Sequence, residues 1–283
     1  MKLYKTTKGN LLQTEKSFFF VEENWDELIN KENLYQYLLE KEITAEKLSE
    51  AESNLLLENN ILAPIGTQEV WAAGVTYLRS RDARMEESKS SGGADFYDKV
   101  YAAERPELFF KALPQRVAAH KEEVYIRKDS TWNVPEPELT LFINSKGYIS
   151  AYTIGNDMSS RSIEGENPLY LPQAKVYEKS AALGPCLYIP NEPISPETLI
   201  SIEIHREGNI MFNDSIQLNR MKRNLPELAH WLFLECSFPE GCFLMTGTGM
   251  VPGNDFTLSV GDEITIHIEN IGTLSNIVAA NNK

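Results

Sequence analysis

Three carboxylates are spaced so that they can meet. Glu136 and Glu138 lie in the run Pro135-Glu136-Pro137-Glu138-Leu139, and Asp157 lies in Gly155-Asn156-Asp157-Met158-Ser159-Ser160-Arg161. In extended chain the side chains alternate faces, so Glu136 and Glu138 project the same way. Pro135 and Pro137 keep the segment out of a helix and hold that alternation. Leu139-Thr140-Leu141-Phe142-Ile143, then Asn144-Ser145-Lys146-Gly147, then Tyr148-Ile149-Ser150-Ala151-Tyr152-Thr153-Ile154 reads as strand, turn, strand, which returns Asp157 to the glutamates. Three carboxylates at one place repel unless a cation sits among them. An oxygen-only shell suits Mg²⁺, Mn²⁺ or Ca²⁺ rather than zinc.

Other residues have chemistry that depends on where the fold puts them. Lys175 lies between a loop and the apolar run Leu183-Gly184-Pro185-Cys186-Leu187-Tyr188-Ile189; it is a snorkelling lysine or, beside a carboxylate cluster, an acid/base or substrate anchor. Residues 69–77 read as a strand feeding a helix over 78–88, whose first two turns carry Arg79, Arg81 and Arg84. These are either a solvated face or a carboxylate-binding group. The polar stretch 89–98, containing Gly92-Gly93, reads as a loop or lid or as a plain surface excursion. Glu107 stands at the mouth of an apolar strand, and alone it reads as a surface glutamate. The strand at Cys242-Phe243-Leu244-Met245 ends in Thr246-Gly247-Thr248-Gly249-Met250-Val251-Pro252-Gly253. A dinucleotide fingerprint needs a helix next, which Pro252 and Gly253 forbid, so the loop is read as one whose N–H groups and Thr hydroxyls face a ligand.

Positioning these groups takes a substantial core, which 283 residues can supply. Residues 1–65 read as a small N-terminal unit: short strands at 2–6 and 17–21, then two helices, the second capped by Thr44. Residues 66–283 read as a β-dominated domain with a few helices, including one over 226–235, and end in strand-like alternation. The net charge of −14 argues against nucleic acid and anionic membrane as partners. It also requires local cations or a metal wherever an anionic substrate binds. The three cysteines, Cys186, Cys236 and Cys242, read as thiols of a reducing compartment. With no long apolar run, the expectation is a cytoplasmic protein.

Taken together, Glu136-x-Glu138, Gly155-Asn156-Asp157-x-Ser159-x-Arg161, Lys175, Leu244-Met245-Thr246-Gly247-Thr248, Gly261-Asp262 and Ile271-Gly272-x-Leu274 resemble the fumarylacetoacetate hydrolase family from about residue 66 onward. The resemblance implies an α+β, β-dominated fold with a mixed β-roll core. It implies Glu136, Glu138 and Asp157 as ligands of Mg²⁺ (or Mn²⁺ or Ca²⁺), a small-molecule 2-oxo acid substrate, and a homodimer or homotetramer. Hydrolases of the family activate water with a His soon after the Tyr equivalent to Tyr77, yet no His occurs between Tyr77 and Ser91. The resemblance is therefore to the branch that dehydrates 2-keto-3-deoxy sugar acids. There, chelation of the substrate's carboxylate and keto oxygen by the ion acidifies C3, and the C4 hydroxyl leaves. Glu107 and Lys175 are the expected catalytic pair, Lys175 near C3 and Glu107 on the departing hydroxyl. Arg79, Ser80 and Thr248 are expected to hold the substrate. The competing expectations are a carbon–carbon hydrolase or oxaloacetate decarboxylase of the same family, and a non-catalytic sugar-acid-binding protein.

Overall fold

The computed structural model describes residues 1–87 and 94–281. Gly92, Gly93 and the first part of the 89–98 stretch lie outside the described residues; from Ala94 to Ala102 the chain is helical. The expected hairpin is present. Pro137–Ile143 runs antiparallel to Ile149–Asp157, with Pro137 opposite Asn156 and Glu138 opposite Gly155. Asn144 Oδ1 accepts the N–H groups of Lys146 and Tyr148, and Gly147 takes φ +84°, which the turn requires and a side chain would resist. The Asp157 N–H donates to the Glu136 carbonyl at 2.9 Å, so the two acidic residues are locked side by side.

Neighbouring strands sandwich the hairpin. Ala181–Tyr188 pairs along Ile149–Asp157, and Cys242–Met245 pairs along Pro137–Ile143. Cys242–Met245 runs parallel to Glu69–Gly74, which is antiparallel to Glu107–Ala112. Every residue of Pro137–Ile143 and of Cys242–Met245 is buried, because both faces of the sheet are covered. Leu139, Leu141, Ile154 and Leu244 pack toward a second, five-stranded sheet through Ile202, Ile266 and Leu274. Phe142, Ala151 and Phe243 face the other way and pack with Leu3, Leu12 and Leu28. The architecture is thus α+β and β-dominated, built on mixed sheets.

The N-terminal strands Lys2–Thr6, Gly9–Gln13, Phe18–Val21 and Glu46–Leu48 extend the same sheet, joined to it by Lys2–Thr6 against Ala181–Tyr188. Two local expectations differ from what forms. Thr44 ends the helix Leu34–Thr44 rather than starting one. The following helix, Glu50–Asn59, is capped by Ser49, whose side chain accepts the Glu52 N–H while the Glu52 carboxylate accepts the Ser49 N–H. That reciprocal pair satisfies two end donors where a lone Thr satisfies one. The strand expected over 69–77 stops at Gly74, since Val75 takes φ +54°.

Candidate active site

The hairpin end forms an acidic floor. Ligand oxygens of Glu136, Glu138 and Asp157 all lie within 4.8 Å of one another, and all three residues are buried. Glu138 Oε2 accepts the Gly247 N–H at 2.5 Å. The loop after Cys242–Met245 therefore does turn a backbone donor toward the site. Gly247 makes this possible: its φ is +91°, and a Cβ there would lie 2.1 Å from Thr76 Oγ1. Burial, then the charges of Asp157 and Glu136, push the Glu138 carboxyl well above the usual carboxylate range.

A ring of buried cations surrounds the floor. Lys175 Nζ donates to Glu136 Oε2 at 2.6 Å and Asp157 Oδ2 at 2.9 Å. Arg161 Nη2 donates to Glu136 Oε1 at 2.7 Å. Burial alone would raise the Glu136 carboxyl, but Lys175, Arg161 and Arg84 outweigh it and hold it far below its ordinary value. Arg84 pairs with Glu164, which also lies 3.9 Å from Arg161 Nε. Lys111, fully buried, lies 2.5 Å from Asp157 Oδ1 and donates to the carbonyls of Met158 (3.0 Å) and Lys175 (2.5 Å). Its three N–H directions are thereby used, which makes it a tie between the floor and the segment carrying Lys175.

Glu107 is built differently from the floor. Its Oε2 is buried and has no hydrogen-bond partner, although the residue as a whole is only half-buried. Burial raises its carboxyl; Arg84 and Lys175 pull it down, Glu136 and Asp157 push it up, and the net direction is upward. Gly74 gives it room, since a Cβ there would sit 2.0 Å from Oε2.

The structure brings together Glu136, Glu138, Asp157, Lys175 and Glu107, and it places Ser80 and Thr248 on the cavity wall. Arg79 is not among them. It is exposed, whereas Arg84, one helical turn past Ser80 on the inward face of Leu78–Glu87, lines the cavity. Arg84 thus replaces Arg79 in the wall. Lys111 was not anticipated at all. Its signal was the alternation Glu107-x-Phe109-x-Lys111, the same two-residue spacing that joins Glu136 to Glu138. At Lys111 the strand bulges: Phe110 and Ala112 pair with the consecutive residues Trp71 and Val70. Such a bulge re-aims a side chain. A larger groove of about 980 Å³, lined in part by Tyr148, Pro193, Leu225 and Phe233, lies away from the carboxylates.

The donor set fits a hard divalent ion. It is all oxygen, already convergent, and short of positive charge at Glu138.

Residues 70–279 match the family model for the fumarylacetoacetate (FAA) hydrolase C-terminal domain. The chain belongs to that family. Among curated relatives, it is 45% identical over 223 residues, 78% of this chain and 76% of the other, to the probable 2-keto-3-deoxyxylonate dehydratase of Haloferax volcanii. It is 40% identical over 249 residues, 85% of this chain and 84% of the other, to the 2-dehydro-3-deoxy-D-arabinonate dehydratase of Saccharolobus solfataricus. Among solved structures, a 2-keto-3-deoxy-D-arabinonate dehydratase complexed with magnesium and 2,5-dioxopentanoate superposes with a TM-score of 0.85 at 34% identity, covering 100% of both chains.

Proposed function

We propose that the protein is a divalent-metal-dependent hydro-lyase that removes water from a 2-keto-3-deoxy sugar acid of the five-carbon class named for its relatives. Glu136, Glu138 and Asp157 are the residues that would hold Mg²⁺, or Mn²⁺ or Ca²⁺. When bound, the ion supplies Lewis-acid stabilisation of the negative charge that develops on the 2-oxo group. Lys175, held between Glu136 and Asp157, is the group that takes the proton from C3. Glu107, whose carboxyl keeps its proton to higher pH than an ordinary glutamate, gives one to the hydroxyl leaving C4. Ser80, Thr248 and Arg84 line the space around the substrate.

One observation carries this reading. The acidic floor stands beside a lysine and a buried carboxyl oxygen of Glu107 that has no hydrogen-bond partner, and none of the four histidines lines the cavity. His120 accepts the Ser275 N–H, His205 contacts Glu203, His267 faces Thr273, and His230 lies beside Trp231. A water-activating histidine, which carbon–carbon hydrolysis calls for, is therefore not at the site. Charge supports the same reading. Arg84, Lys111, Arg161 and Lys175 stand among Glu107, Glu136, Glu138, Asp157 and Glu164, four cations to five carboxylates. A divalent ion then makes the site positive for an anionic substrate despite the chain's net charge of −14.

Elimination leaves a C3=C4 double bond with the hydroxyl still on C5, and loss of a C5 proton with gain of one at C3 converts it to the enol form of a 2,5-dioxo acid. Purified protein supplied with Mg²⁺ and a panel of 2-keto-3-deoxy acids should form that 2,5-dioxo acid from the five-carbon member. If every member stays unconsumed, the reading fails; two carbon fragments from an acylpyruvate or oxaloacetate would replace it with lyase or hydrolase chemistry at a carbon–carbon bond.

Three further assignments complete the proposal. Residues 1–65 form an accessory unit and 66–283 the catalytic one, a division supported by the family match beginning at residue 70. The protein works as a homodimer or homotetramer. The sheet-edge strand Asn209–Gln217 supports this, because it leaves Ile210 and Met211 exposed. It acts in the cytoplasm, as suits three cysteines that are all free.

A further inference from the structure

The cavity over the acidic floor is narrow. Its free space of about 10 Å³ is about that of one water molecule, so a sugar acid can enter only if a wall yields. Most walls are held. Ala73 and Gly74 belong to a paired strand, and Arg84, Glu136, Asp157 and Arg161 are ion-paired. Val75 is buried.

Phe109 differs from all of these. Its ring lies 5.7 Å from Lys175 Nζ and lines the inner cavity. It also lines an outer cleft of about 450 Å³, together with Phe110, Arg116, Arg127 and Pro172. The residue is only half-buried. A single aromatic side chain thus borders both the space beside the catalytic lysine and an open space beyond it. Two sp³–sp³ or sp³–sp² torsions are all that must turn to change that boundary, and no hydrogen bond holds a phenyl ring in place.

The geometry points to Phe109 as the partition that sets how long a sugar acid the site accepts, an inference that rests on the dehydratase reading for its substrate class. With the carboxylate end of the acid at the floor, the far end extends toward the cavity wall. Shortening the side chain joins the inner space to the outer cleft, which gives a longer acid room beyond the ring. The ring is a wall and not a participant in proton transfer.

The test uses the Mg²⁺-loaded protein and two readouts. Binding of straight-chain 2-oxo acids from pyruvate to 2-oxohexanoate is followed by calorimetry, and turnover is compared on five-carbon and six-carbon 2-keto-3-deoxy acids. In the parent protein, affinity should fall once the chain passes five carbons. In Phe109→Ala that fall should disappear, and the six-to-five ratio of kcat/KM should rise by roughly tenfold or more, the scale of one or two apolar groups in a pocket. Phe110→Ala, at a residue that lines the outer cleft but not the inner cavity, should keep the parent profile. If Phe109→Ala does not fold, Phe109→Leu shortens the same wall and should shift the profile in the same direction. An unchanged chain-length profile in the Phe109 variant, or an equal shift in Phe110→Ala, overturns the inference. The two readings fail separately: a parent that dehydrates none of the acids while its binding profile still responds to Phe109 sinks only the dehydratase reading, and normal turnover with an unresponsive profile sinks only the partition.

Discussion

The floor and the ring of this site are made in opposite ways. The floor concentrates negative charge on one hairpin, where strand alternation and one backbone hydrogen bond fix Glu136, Glu138 and Asp157 together. The ring gathers Arg84, Lys111, Arg161 and Lys175 from four separate segments, each held by ion pairs and Lys111 by two backbone carbonyls as well. A local element can aim carboxylates but cannot neutralise them. The neutralising charges must come from elsewhere, so the site exists only when the whole sheet is assembled.

By that contrast, a change in the floor should cost chemistry, and a change in a ring member outside the reaction, such as Lys111, should cost stability. Glu136→Gln should have the largest effect, abolishing Mg²⁺ binding and turnover together, because it removes a ligand and leaves Arg161 and Lys175 short of a counter-charge. Stoichiometric metal with retained turnover would refute the ligand assignment. Lys111→Met should lower unfolding free energy by ~3 kcal/mol, since it takes one of two cations from the buried Asp157 carboxylate and the donor from two buried carbonyls. Denaturant melts that match the parent protein would show that the ring is not structural.

Glu107→Gln tests the border between the two. Metal binding should survive while turnover falls by about 10²–10⁴, the usual worth of a positioned acid. The same variant carries a pH signature. The folded Glu107 pKa lies above the ordinary 4.5, so the folded state binds more protons than the unfolded state between those values, and stability is lost as pH rises through that window. A neutral Gln escapes this loss. Thermal melts should therefore show Glu107→Gln more stable than the parent above the window and no more stable at pH 4; the reverse order would mean that the carboxylate is favourably paired. Smallest of all, Arg79→Ala should change stability by no more than ~0.5 kcal/mol and leave KM nearly unmoved, as suits an exposed side chain outside the cavity. A large rise in KM would restore Arg79 to the substrate's surroundings.

The floor was legible because its information is short-range. Proline-flanked alternation, a turn with Asn144 and Gly147, and a second strand are enough to place Asp157 against Glu136. The ring was less legible because each member depends on a contact far along the chain. Choosing Arg84 over Arg79 requires knowing which helical face meets Glu164. Recognising Lys111 requires crediting an alternation inside an otherwise apolar strand and the bulge that turns its side chain inward. Glu107 and Lys175 were found through family resemblance rather than spacing. In the N-terminal region the sequence offers two cap signals, a one-sided cap at Thr44 and a reciprocal one at Ser49 and Glu52, and the reciprocal one starts the helix.

The strand Cys242–Met245 lies between Pro137–Ile143 and Glu69–Gly74, and its trailing loop supplies the N–H that Glu138 accepts. Its Cys242 thiol meets the Glu69 carbonyl across 173 positions of chain. During synthesis, then, a ribosome-bound chain ending before residue 242 has no central strand to lay between the two halves, and its acidic hairpin faces a gap. Such pairing between distant segments delays assembly. Metal capture should consequently wait for residues 242–247, switched on by their arrival rather than accumulated along the way.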